Sequence, residues 1–508
     1  MNLAQWLVDN AARDPAKPAL VFEGRTYTHE QLWMLVQQCG NAFRRLGVRP
    51  GDRVSLLLPN CPEWLIARWG AIAVGAASSP MNVMFQKTEA RYVLNNAAPR
   101  VLVTTPDKLE LIDEVWPECP TLEHIIVVGE KIDVFGTYNF NVLLAGEAHD
   151  LSLHDCGPDD GCDLYYTSGT TGKPKGVMCS HSNFANLIKY ESITWDVRRE
   201  DRSLVVLPLF HAKGLVIPSL LASLVGATQW LLPRWNTERV LRTIQDEKIT
   251  LFAGVPTMYT YMLSDPHIDE FDLSSLRLCR VGGAPIPVEV HVEFERRTKV
   301  KLVEGYGTAG YTATSHPLVG DRVIGSIGKS LGDFDPQIYT EIRIVDDEDC
   351  DVPPSTEGEL ILRGGQVPKG FWRLPGRTMR DYRNGWFHTG DIARRDANGF
   401  IYLVGRKDDL IITSGFNVYP REVEELLYRH EAVLEAAVVG ISDATKGQIV
   451  KAFVVVKEGA HTSEQELINY CRANLAHIKA PRIVEFAASL PKTGSGKIQK
   501  GLLVASAS

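Results

Sequence analysis

The sequence has few of the features that build disulfide frameworks or zinc sites. It contains nine cysteines in 508 residues, an odd number, and none of them belongs to a C-x-x-C pair. Scattered cysteines of this kind exclude a structural zinc cluster and a disulfide scaffold, and they predict reduced thiols in a cytoplasmic protein. The cysteines occupy positions 39, 61, 119, 156, 162, 179, 279, 350 and 471.

Basic residues are in the minority, and they form no run. The chain has 54 Lys and Arg against 62 Asp and Glu, for a net charge of −8. Binding to nucleic acid depends on clustered Lys and Arg side chains that neutralise phosphates. We therefore expect no nucleic-acid partner. Nothing in the sequence bears on the oligomeric state.

Long hydrophobic runs are also scarce. One segment without charged residues, Gly214 to Pro233, approaches the length of a membrane span. Pro218, Ser219, Gly226 and further polar residues interrupt it, and polar groups are costly in lipid. The segment is predicted to be a buried helix followed by a strand, and no membrane span is expected. The N-terminal residues lack the basic leader and apolar core of a signal peptide.

Length and hydrophobic pattern predict a large α/β protein. A chain of 508 residues is too long for one compact core, so at least two domains are expected. Apolar, β-branched runs alternate with helix-length segments, which indicates buried parallel strands. The predicted strands are 53–58, 100–104, 124–128, 203–207, 249–253 and 276–281, with an amphipathic helix at 236–248.

After residue 408 the pattern changes to a small α+β unit. It predicts a helix near 420–430, strands near 434–440 and 450–456, and a second helix near 463–475. Pro420 and the acidic residues that follow it are typical of a helix N-terminus. The charged stretch 405–409 is the proposed boundary between the two parts of the chain.

The segment from Tyr166 to Val177 has the composition of a phosphate-binding loop. Glycines allow backbone N–H groups to approach phosphate oxygens, hydroxyl groups add hydrogen bonds, and the two lysines add positive charge. The loop does not fit the Walker pattern, because Gly172-Lys173 is followed by Pro174 and not by Ser or Thr. A flexible surface loop is the alternative, but the apolar stretch Leu164-Tyr165-Tyr166 leads directly into the segment, as a strand would.

Seven motifs in order give the chain a resemblance to a known family. It resembles the adenylate-forming superfamily, which includes acyl-CoA synthetases, the adenylation domains of peptide synthetases and beetle luciferases. The resemblance spans nearly the whole chain. The motifs are the loop at 166–177, LPLFH at 207–211, GGAP at 282–285, EGYG at 304–307, WFHTGD at 386–391, GRKD at 405–408 and PKTGSGK at 491–497.

This resemblance implies a fold, a division into domains and a set of cofactors. The expected fold is α/β, with a large multi-sheet N-terminal domain at 1–407 and a small mobile α+β domain at 408–508 that rotates about Asp408. The expected cofactors are ATP, Mg²⁺ and coenzyme A. The loop residues assigned to the nucleotide are Thr167, Ser168, Gly169, Thr170, Thr171, Gly172, Lys173 and Lys175.

The remaining motifs imply further contacts with the nucleotide. Asp391 resembles the carboxylate that accepts hydrogen bonds from both ribose hydroxyls, which suits a group that only accepts. Arg406 resembles its partner at the ribose or phosphate, and Tyr306 offers an aromatic face to adenine. The other residues assigned to cofactor binding are Gly283, Ala284, Glu304, Gly305, Gly307 and Thr308.

The resemblance also assigns residues to the two half-reactions. Lys497 is expected to lie between the substrate carboxylate and the α-phosphate, where a cation offsets the repulsion between two anions. His211 is expected to gate the passage between the acyl pocket and the thiol tunnel. Gly415 corresponds to the small residue that the rotated C-terminal domain presents along the pantetheine channel. The alternative for Lys497 is a solvated charge, and the alternative for His211 is a structural histidine.

The chain departs from the family pattern after Tyr306-Gly307. A threonine and a metal-binding glutamate are normal there, whereas this chain has Thr308, Ala309 and Gly310. Thr308 is the candidate substitute for the hydroxyl, and water is the candidate for the missing magnesium ligand, since Mg²⁺ keeps several waters. No residue of the chain is assigned to the metal.

The sequence thus predicts an ATP-dependent carboxylic acid:CoA ligase that forms an acyl-AMP and releases pyrophosphate. One alternative is an adenylating enzyme that transfers the acyl group to an amine, although no carrier domain follows residue 508. Another is a weakened nucleotide-binding relative, suggested by Ala309 and Gly310. The acid pocket is expected along 211–218, 282–284 and 306–313, where small and apolar residues favour an aliphatic or aromatic tail. Lys213 is interpreted as a solvated surface lysine, with pairing to a second carboxylate as the alternative.

Overall fold

Two parallel sheets form the larger part of the molecule. The computed structural model describes residues 1–130, 136–167, 173–308, 311–317, 320–443, 445–494 and 496–507. The first sheet has seven strands, parallel except for a hairpin at one edge. Its order is Leu302–Glu304, Leu278–Val281, Leu251–Gly254, Arg202–Val205, Thr228–Leu231, Pro18–Phe22 and Arg25–Thr28.

The second sheet has the same organisation. It also has seven strands, and its only antiparallel pair among the described residues is the edge pair that flanks the predicted phosphate loop. Its strands are Thr137–Asn139, His124–Val127, Val101–Thr104, Arg53–Leu57, Ala77–Pro80, Gly161–Thr167 and Lys175–Ser180. The inner strands are buried along their length, which explains their continuous apolar sequences.

Helices cover these sheets, and one of them shows how the sequence specifies an element. Pro62–Ala73 begins with proline at its first turn and is buried on nearly every side, in keeping with its apolar sequence. The helices of this part are Gln5–Arg13, His29–Arg45, Pro62–Ala73, Lys87–Ala97, Leu109–Val115, Phe140–Ala145, His181–Trp195, Ala212–Leu215, Leu221–Val225, Thr237–Asp246, Pro256–Ser264, Val288–Thr298 and Pro375–Asp381.

Two small hairpins and an antiparallel sheet connect these layers to the C-terminal part. The hairpins pair Gly307–Thr308 with Tyr311–Thr312 and Thr314–Ser315 with Lys329–Ser330. The antiparallel sheet has the strands Thr340–Val345, Gly358–Gly364, Phe387–Arg395 and Ile401–Arg406.

The C-terminal part is built around its own core. Gly447–Val456 is central in a five-stranded sheet with Phe416–Val418, Ile411–Thr413, Val433–Asp443 and Ile483–Phe486. Its helices are Pro420–Tyr428, Glu464–Asn474 and Lys500–Ala507. The apolar side chains between the sheet and the first two helices form a separate hydrophobic cluster. This arrangement confirms the predicted combination of a large α/β part and a small α+β part.

The predicted elements are present, with shifted ends. The strand predicted at 276–281 begins at Leu278, and the strand predicted at 434–440 runs from Val433 to Asp443. The segment 214–233 is helical up to Val225, with a π-helical turn at Val216–Leu220, and it continues as the strand Thr228–Leu231. Within the described residues, none of the helices combines the length and the apolar character that crossing a membrane requires.

All nine cysteines are free, as predicted from their scattered positions. Eight of them are buried, and Cys350 is exposed. Burial raises the pKa of the Cys39 thiol and of most of the other buried thiols, so they are neutral packing residues.

Candidate active site

Asp391 and Arg406 are brought together by the antiparallel sheet. They are direct cross-strand partners, and Arg406 Nη1 lies 3.0 Å from Asp391 Oδ1. The hydroxyl of Tyr306 donates a hydrogen bond of 2.5 Å to Asp391 Oδ2. Burial raises the pKa of Asp391, while the adjacent Arg406 acts in the opposite direction and favours the carboxylate. The predicted ribose-binding pair and the predicted adenine platform therefore form one connected group.

The glycines beside Tyr306 are required by packing. A methyl group on Gly305 would lie 2.5 Å from Arg280 Nη2, and one on Gly307 would lie 2.1 Å from the carbonyl oxygen of Tyr311. These two glycines allow the chain to pass between its neighbours and hold the Tyr306 ring in place. Thr308 is half-buried and pairs with Tyr311 in the hairpin that follows.

Glu304 lies below the surface of the site. Its side chain is buried, and Oε1 accepts a hydrogen bond from the backbone N–H of Ile286 at 3.3 Å. Burial raises the pKa of Glu304 to about 7. In this conformation Glu304 supports the segment beneath Tyr306 and does not reach the surface of the cleft.

The phosphate loop connects two antiparallel edge strands. Thr167 ends the strand Gly161–Thr167 and pairs directly with Lys175, which begins the next strand. The loop residues Ser168, Gly169, Thr170, Thr171 and Gly172 lie outside the described residues. A hairpin at this point agrees with the sequence argument against a Walker loop, which requires a helix after the glycines.

The two lysines of the loop differ in their environment. Lys173 is exposed, with its ammonium group 5.7 Å from the centre of the Tyr92 ring. Lys175 is half-buried near the Phe371 ring, and burial lowers its pKa, with a further contribution from Arg377. Lys175 also lies within the electrostatic range of Asp408 and Arg406, which connects the phosphate loop to the Asp391 group.

His211 caps a short helix at the rim of the cleft. Its Nδ1 accepts the backbone N–H of Lys213 at 3.3 Å, at the start of Ala212–Leu215. His211 is exposed to solvent on one side. Partial desolvation by the surrounding protein lowers the pKa of His211, and the positive charges of Lys213 and Lys497 lower it further. A neutral ring whose Nδ1 accepts a hydrogen bond carries its proton on Nε2. Gly283 and Ala284 follow the strand Leu278–Val281, and Gly283 has a positive φ of 84°.

Lys497 reaches the same cleft from the C-terminal part. Its loop closes on itself, because the N–H of Thr493 donates to the carbonyl of Lys497 at 2.7 Å. The hydroxyl of Thr257 donates to the carbonyl of Gly496 at 3.3 Å, which attaches the loop to the helix Pro256–Ser264. Burial and Arg406 lower the pKa of Lys497, whereas Asp391 raises it. The charge of Lys497 therefore interacts with charges carried by the large part of the chain.

Asp408 lies at the edge of this group, where its charge acts on Arg406 and Lys175, and Gly415 lies outside it. Asp408 is exposed in the short 3₁₀ helix Lys407–Asp409, directly after the strand that carries Arg406. Gly415 is exposed at the tip of the hairpin formed by Ile411–Thr413 and Phe416–Val418, with a φ of 82° and no atom within 4 Å of the position of a side-chain carbon. The conformation thus joins Lys497 to the cleft and leaves Gly415 in solvent.

Sequence reasoning missed a polar cluster beside the cleft. Arg280 Nη1 lies 2.7 Å from Glu191 Oε2, and both side chains are almost completely buried. Lys213 approaches this pair and is half-buried, so its interpretation as a solvated surface lysine is wrong. The sequence feature that could have revealed this cluster is Arg280, a charged residue within the buried strand Leu278–Val281.

The described residues offer no ready magnesium cage. They contain no group of three His, Cys, Asp or Glu side chains positioned to hold a metal ion. Ala309 and Gly310, which occupy the positions of the usual hydroxyl and carboxylate, lie outside the described residues. The potential ligand side chains among the described residues are therefore not arranged to bind Mg²⁺ without other ligands.

Comparisons with known proteins agree with this geometry. Residues 7–372 match the model of the AMP-binding enzyme family, and residues 422–497 match that of the AMP-binding enzyme C-terminal domain. A long-chain-fatty-acid–CoA ligase of Bacillus subtilis is 35% identical, with 99% of this chain and 94% of that protein covered. A feruloyl-CoA synthase of an Amycolatopsis species is 36% identical, with 98% of each covered.

A solved structure has the same fold over its whole length. It is the anthranilate CoA ligase AuaEII in complex with anthranoyl-AMP, which is 31% identical and superposes with a TM-score of 0.94. The match covers 100% of this chain and 97% of that one.

Proposed function

The chain belongs to the AMP-binding enzyme family and is an ATP-dependent acid:CoA ligase, and we propose how its residues divide the two half-reactions. The main support for this proposal is that Lys497 lies close enough to Asp391, Arg406 and His211 for their charges to interact across one cleft. The two motifs that hold Lys497 and Asp391 are 106 residues apart in the chain, yet their charges act on each other.

In the first half-reaction a carboxylate oxygen attacks the α-phosphorus of ATP. The bond to the β-phosphate breaks, its electron pair leaves with pyrophosphate, and an acyl-AMP remains. Two anions must approach each other, and the repulsion is about 4 kcal/mol per charge pair at 4 Å with an effective dielectric of about 20. Lys497 offsets this repulsion as a cation between the two groups.

Asp391, Arg406 and Tyr306 hold the nucleoside. The Asp391 oxygens retain lone pairs for the ribose hydroxyls, since a carboxylate accepts about four hydrogen bonds and two are used within the protein. The two ends of the phosphate loop also contribute to binding. Lys173 and Lys175 supply positive charge, and Thr167 supplies a hydroxyl group. A preorganised set of donors of this kind stabilises charge that develops on phosphate oxygens.

We expect Mg²⁺ to bind together with the nucleotide. When it is bound, the ion neutralises phosphate charge. Because the described donors do not fit a protein-held ion, we expect the phosphates and water to supply its ligands, and we assign no step to it.

In the second half-reaction the thiol of coenzyme A attacks the acyl carbon. A C–S bond forms, the bond to the phosphate oxygen breaks, the thiol proton is lost to solvent, and AMP leaves. We propose that residues 408–508 rotate about Asp408 for this step, so that Gly415 replaces Lys497 at the cleft. The exposed position of Gly415 supports this, because its surface is free to dock elsewhere. His211 stands at the rim as a neutral gate.

A coupled assay tests the assignment. Purified protein is given ATP, Mg²⁺ and a panel of aliphatic and aromatic acids, with pyrophosphate release followed and products identified by mass spectrometry. We expect pyrophosphate only when an acid is present, and an acyl thioester only when coenzyme A is added. An amide formed with a supplied amine, without any thioester, would favour the amine-transfer alternative, and the absence of acid-dependent pyrophosphate would favour a weakened relative.

A further inference from the structure

Lys213 extends across the floor of the predicted acid pocket. It belongs to the helix Ala212–Leu215, and its Nζ lies 2.7 Å from the position that a methyl group on Gly282 would take. Its Cδ lies 3.4 Å from the corresponding position on Gly283. The side chain therefore occupies the space that these two glycines leave open. The tail of a bound acid that runs past Gly282 and Gly283 meets this amine.

The backbone of Lys213 is fixed at this place. A methyl group on Gly214 would lie 2.2 Å from the carbonyl oxygen of Pro208, so the helix packs directly against the preceding turn. The N–H of Lys213 is held by His211 Nδ1. Among the described residues, the Lys213 amino group makes neither a hydrogen bond nor an ion pair, so a donor stands in the pocket without an acceptor.

The side chains around the Lys213 amino group do not supply a full negative charge to balance it. Arg280 is already paired with Glu191, and Glu304, with a pKa near 7, supplies only part of a negative charge. Burial and the neighbouring Arg280 lower the pKa of Lys213 well below its usual range. Glu191 Oε1 and Glu304 Oε2 are also buried without a hydrogen-bond partner, but these oxygens are acceptors and lack a donor. An acceptor contributed by a ligand therefore satisfies the Lys213 amine.

We propose that Lys213 selects compact carboxylic acids that carry a hydrogen-bond acceptor, above all a second carboxylate, where their tail meets Gly282 and Gly283. This inference rests on the proposed function, because it assigns the acid of that same site. The body of such an acid contacts small and apolar residues, and only its acceptor reaches the amine. A plain alkyl or aryl group at this point leaves a buried donor unsatisfied, and such a donor discriminates strongly between otherwise similar ligands.

Matched pairs of acids test the proposal. The pairs are benzoate with benzene-1,3-dicarboxylate or 3-hydroxybenzoate, and hexanoate with the six-carbon dicarboxylate, each measured by acid-dependent pyrophosphate exchange. For the wild-type protein we expect kcat/KM to be about 10- to 100-fold higher for the acceptor-bearing member of at least one pair, as a hydrogen bond to a charged group implies. In Lys213→Met this preference disappears or reverses, and in Lys213→Arg it remains.

The control is Lys301→Met, which removes an exposed lysine away from the cleft and leaves every ratio unchanged. Thermal unfolding and ATP binding establish that each variant is folded. A preference that is the same in wild type and Lys213→Met, or a wild-type preference for the unsubstituted acids, overturns the proposal while leaving the ligase assignment intact. Absence of exchange with every acid contradicts both.

Discussion

At the scale of single residues, the proposed adenylation chemistry depends most on Lys497. This lysine follows a loop of two glycines and a serine. The Thr257 hydroxyl donates to the carbonyl of Gly496, and the N–H of Thr493 donates to the carbonyl of Lys497, which holds the loop at the cleft. The charge of Lys497 acts on Asp391, Arg406 and His211. A cation that is positioned by backbone contacts loses little entropy when the reactants arrive, so it stabilises the transition state more than the bound substrates.

Lys497→Ala is expected to slow the formation of acyl-AMP by about 10²- to 10³-fold, the usual effect of removing one preorganised charge or donor. Thioester formation from supplied acyl-AMP should change less than about threefold, because Lys497 leaves the cleft for that step in the proposed rotation. The two half-reactions are measured separately, by pyrophosphate exchange and by thioester release. Equal losses in both would contradict this role of Lys497.

The pH dependence gives a second test of the same residue. Burial and Arg406 lower the pKa of Lys497, and the role proposed for Lys497 requires its protonated form. The kcat/KM for ATP in pyrophosphate exchange should therefore fall as pH rises, and at a lower pH than an exposed lysine would allow. The residual activity of Lys497→Ala should lack this decline. A wild-type profile that stays flat to the pKa of a free lysine would contradict the expectation.

The sequence motifs singled out these residues, but they did not predict the contacts between them. Asp391, Arg406, Tyr306 and Lys497 were recognised because each belongs to a motif with a fixed spacing. The hydrogen bond from Tyr306 to Asp391 was not predictable, since it joins residues 85 positions apart through the fold. Lys213 was misjudged for a related reason: nothing in the local sequence shows that Gly282 and Gly283 leave room for its side chain.

At the scale of secondary-structure elements, a buried ion pair holds the strand that leads into the phosphate loop. Arg68, on the helix Pro62–Ala73, donates to both oxygens of Asp163, from Nε at 3.1 Å and from Nη2 at 2.5 Å. The Ser78 hydroxyl donates to the same carboxylate. Both charged side chains are fully buried. The strand Gly161–Thr167 is thus attached to the helix four residues before Thr167, where the strand ends.

Removing one partner of this pair should destabilise the large part of the molecule strongly. Asp163→Ala leaves the Arg68 guanidinium buried without a counter-charge, and we expect a loss of about 3–5 kcal/mol. The double variant Arg68→Leu with Asp163→Leu should lose less, because no charge remains buried. Urea unfolding followed by tryptophan fluorescence measures both. A loss below about 1 kcal/mol for Asp163→Ala would show that the pair is not the attachment described.

The strands of the parallel sheets were predictable because they are continuous β-branched runs between glycines and helices. Ile411–Thr413, Phe416–Val418 and Ile483–Phe486 were not predicted. Each has three or four residues, which is too few to establish an alternating pattern. Their pairing is set by the long strand Gly447–Val456 and by the hairpin turn at Ser414 and Gly415.

At the scale of the whole molecule, the proposed rotation requires that the described conformation serve the first half-reaction only. Lys497 and Gly415 belong to the same small part of the chain, and only Lys497 meets the cleft. Contacts such as the Arg429–Glu289 pair, 3.0 Å long with Arg429 exposed and Glu289 half-buried, join this part to the rest. Exposed ion pairs contribute about 0–1 kcal/mol each, so contacts of this kind oppose rotation weakly.

Gly415→Leu is expected to separate the two half-reactions in the opposite sense to Lys497→Ala. A side chain at Gly415 faces open solvent in the present conformation, so acyl-AMP formation should stay within about twofold of wild type. Thioester formation should fall by at least about tenfold if the rotated domain brings this position to the thiol channel. The same two assays measure the effect.

Gly459→Leu is the matched control for Gly415→Leu. Gly459 is also exposed, has a φ of 75° against 82° for Gly415, and has no atom within 4 Å of the position of a side-chain carbon. Leucine therefore meets the same backbone strain at both sites, and any loss that the variants share comes from that strain. An equal decrease in thioester formation for the two variants would contradict the role of Gly415.

The most direct test of the account is the stoichiometry of a single turnover. The enzyme is mixed with limiting ATP, an acid that supports exchange and excess coenzyme A, and all products are quantified. We expect AMP, pyrophosphate and acyl thioester to form in equal amounts, and we expect acyl-AMP to accumulate when coenzyme A is omitted. ADP and inorganic phosphate as products, or AMP released without any acyl product, would contradict it.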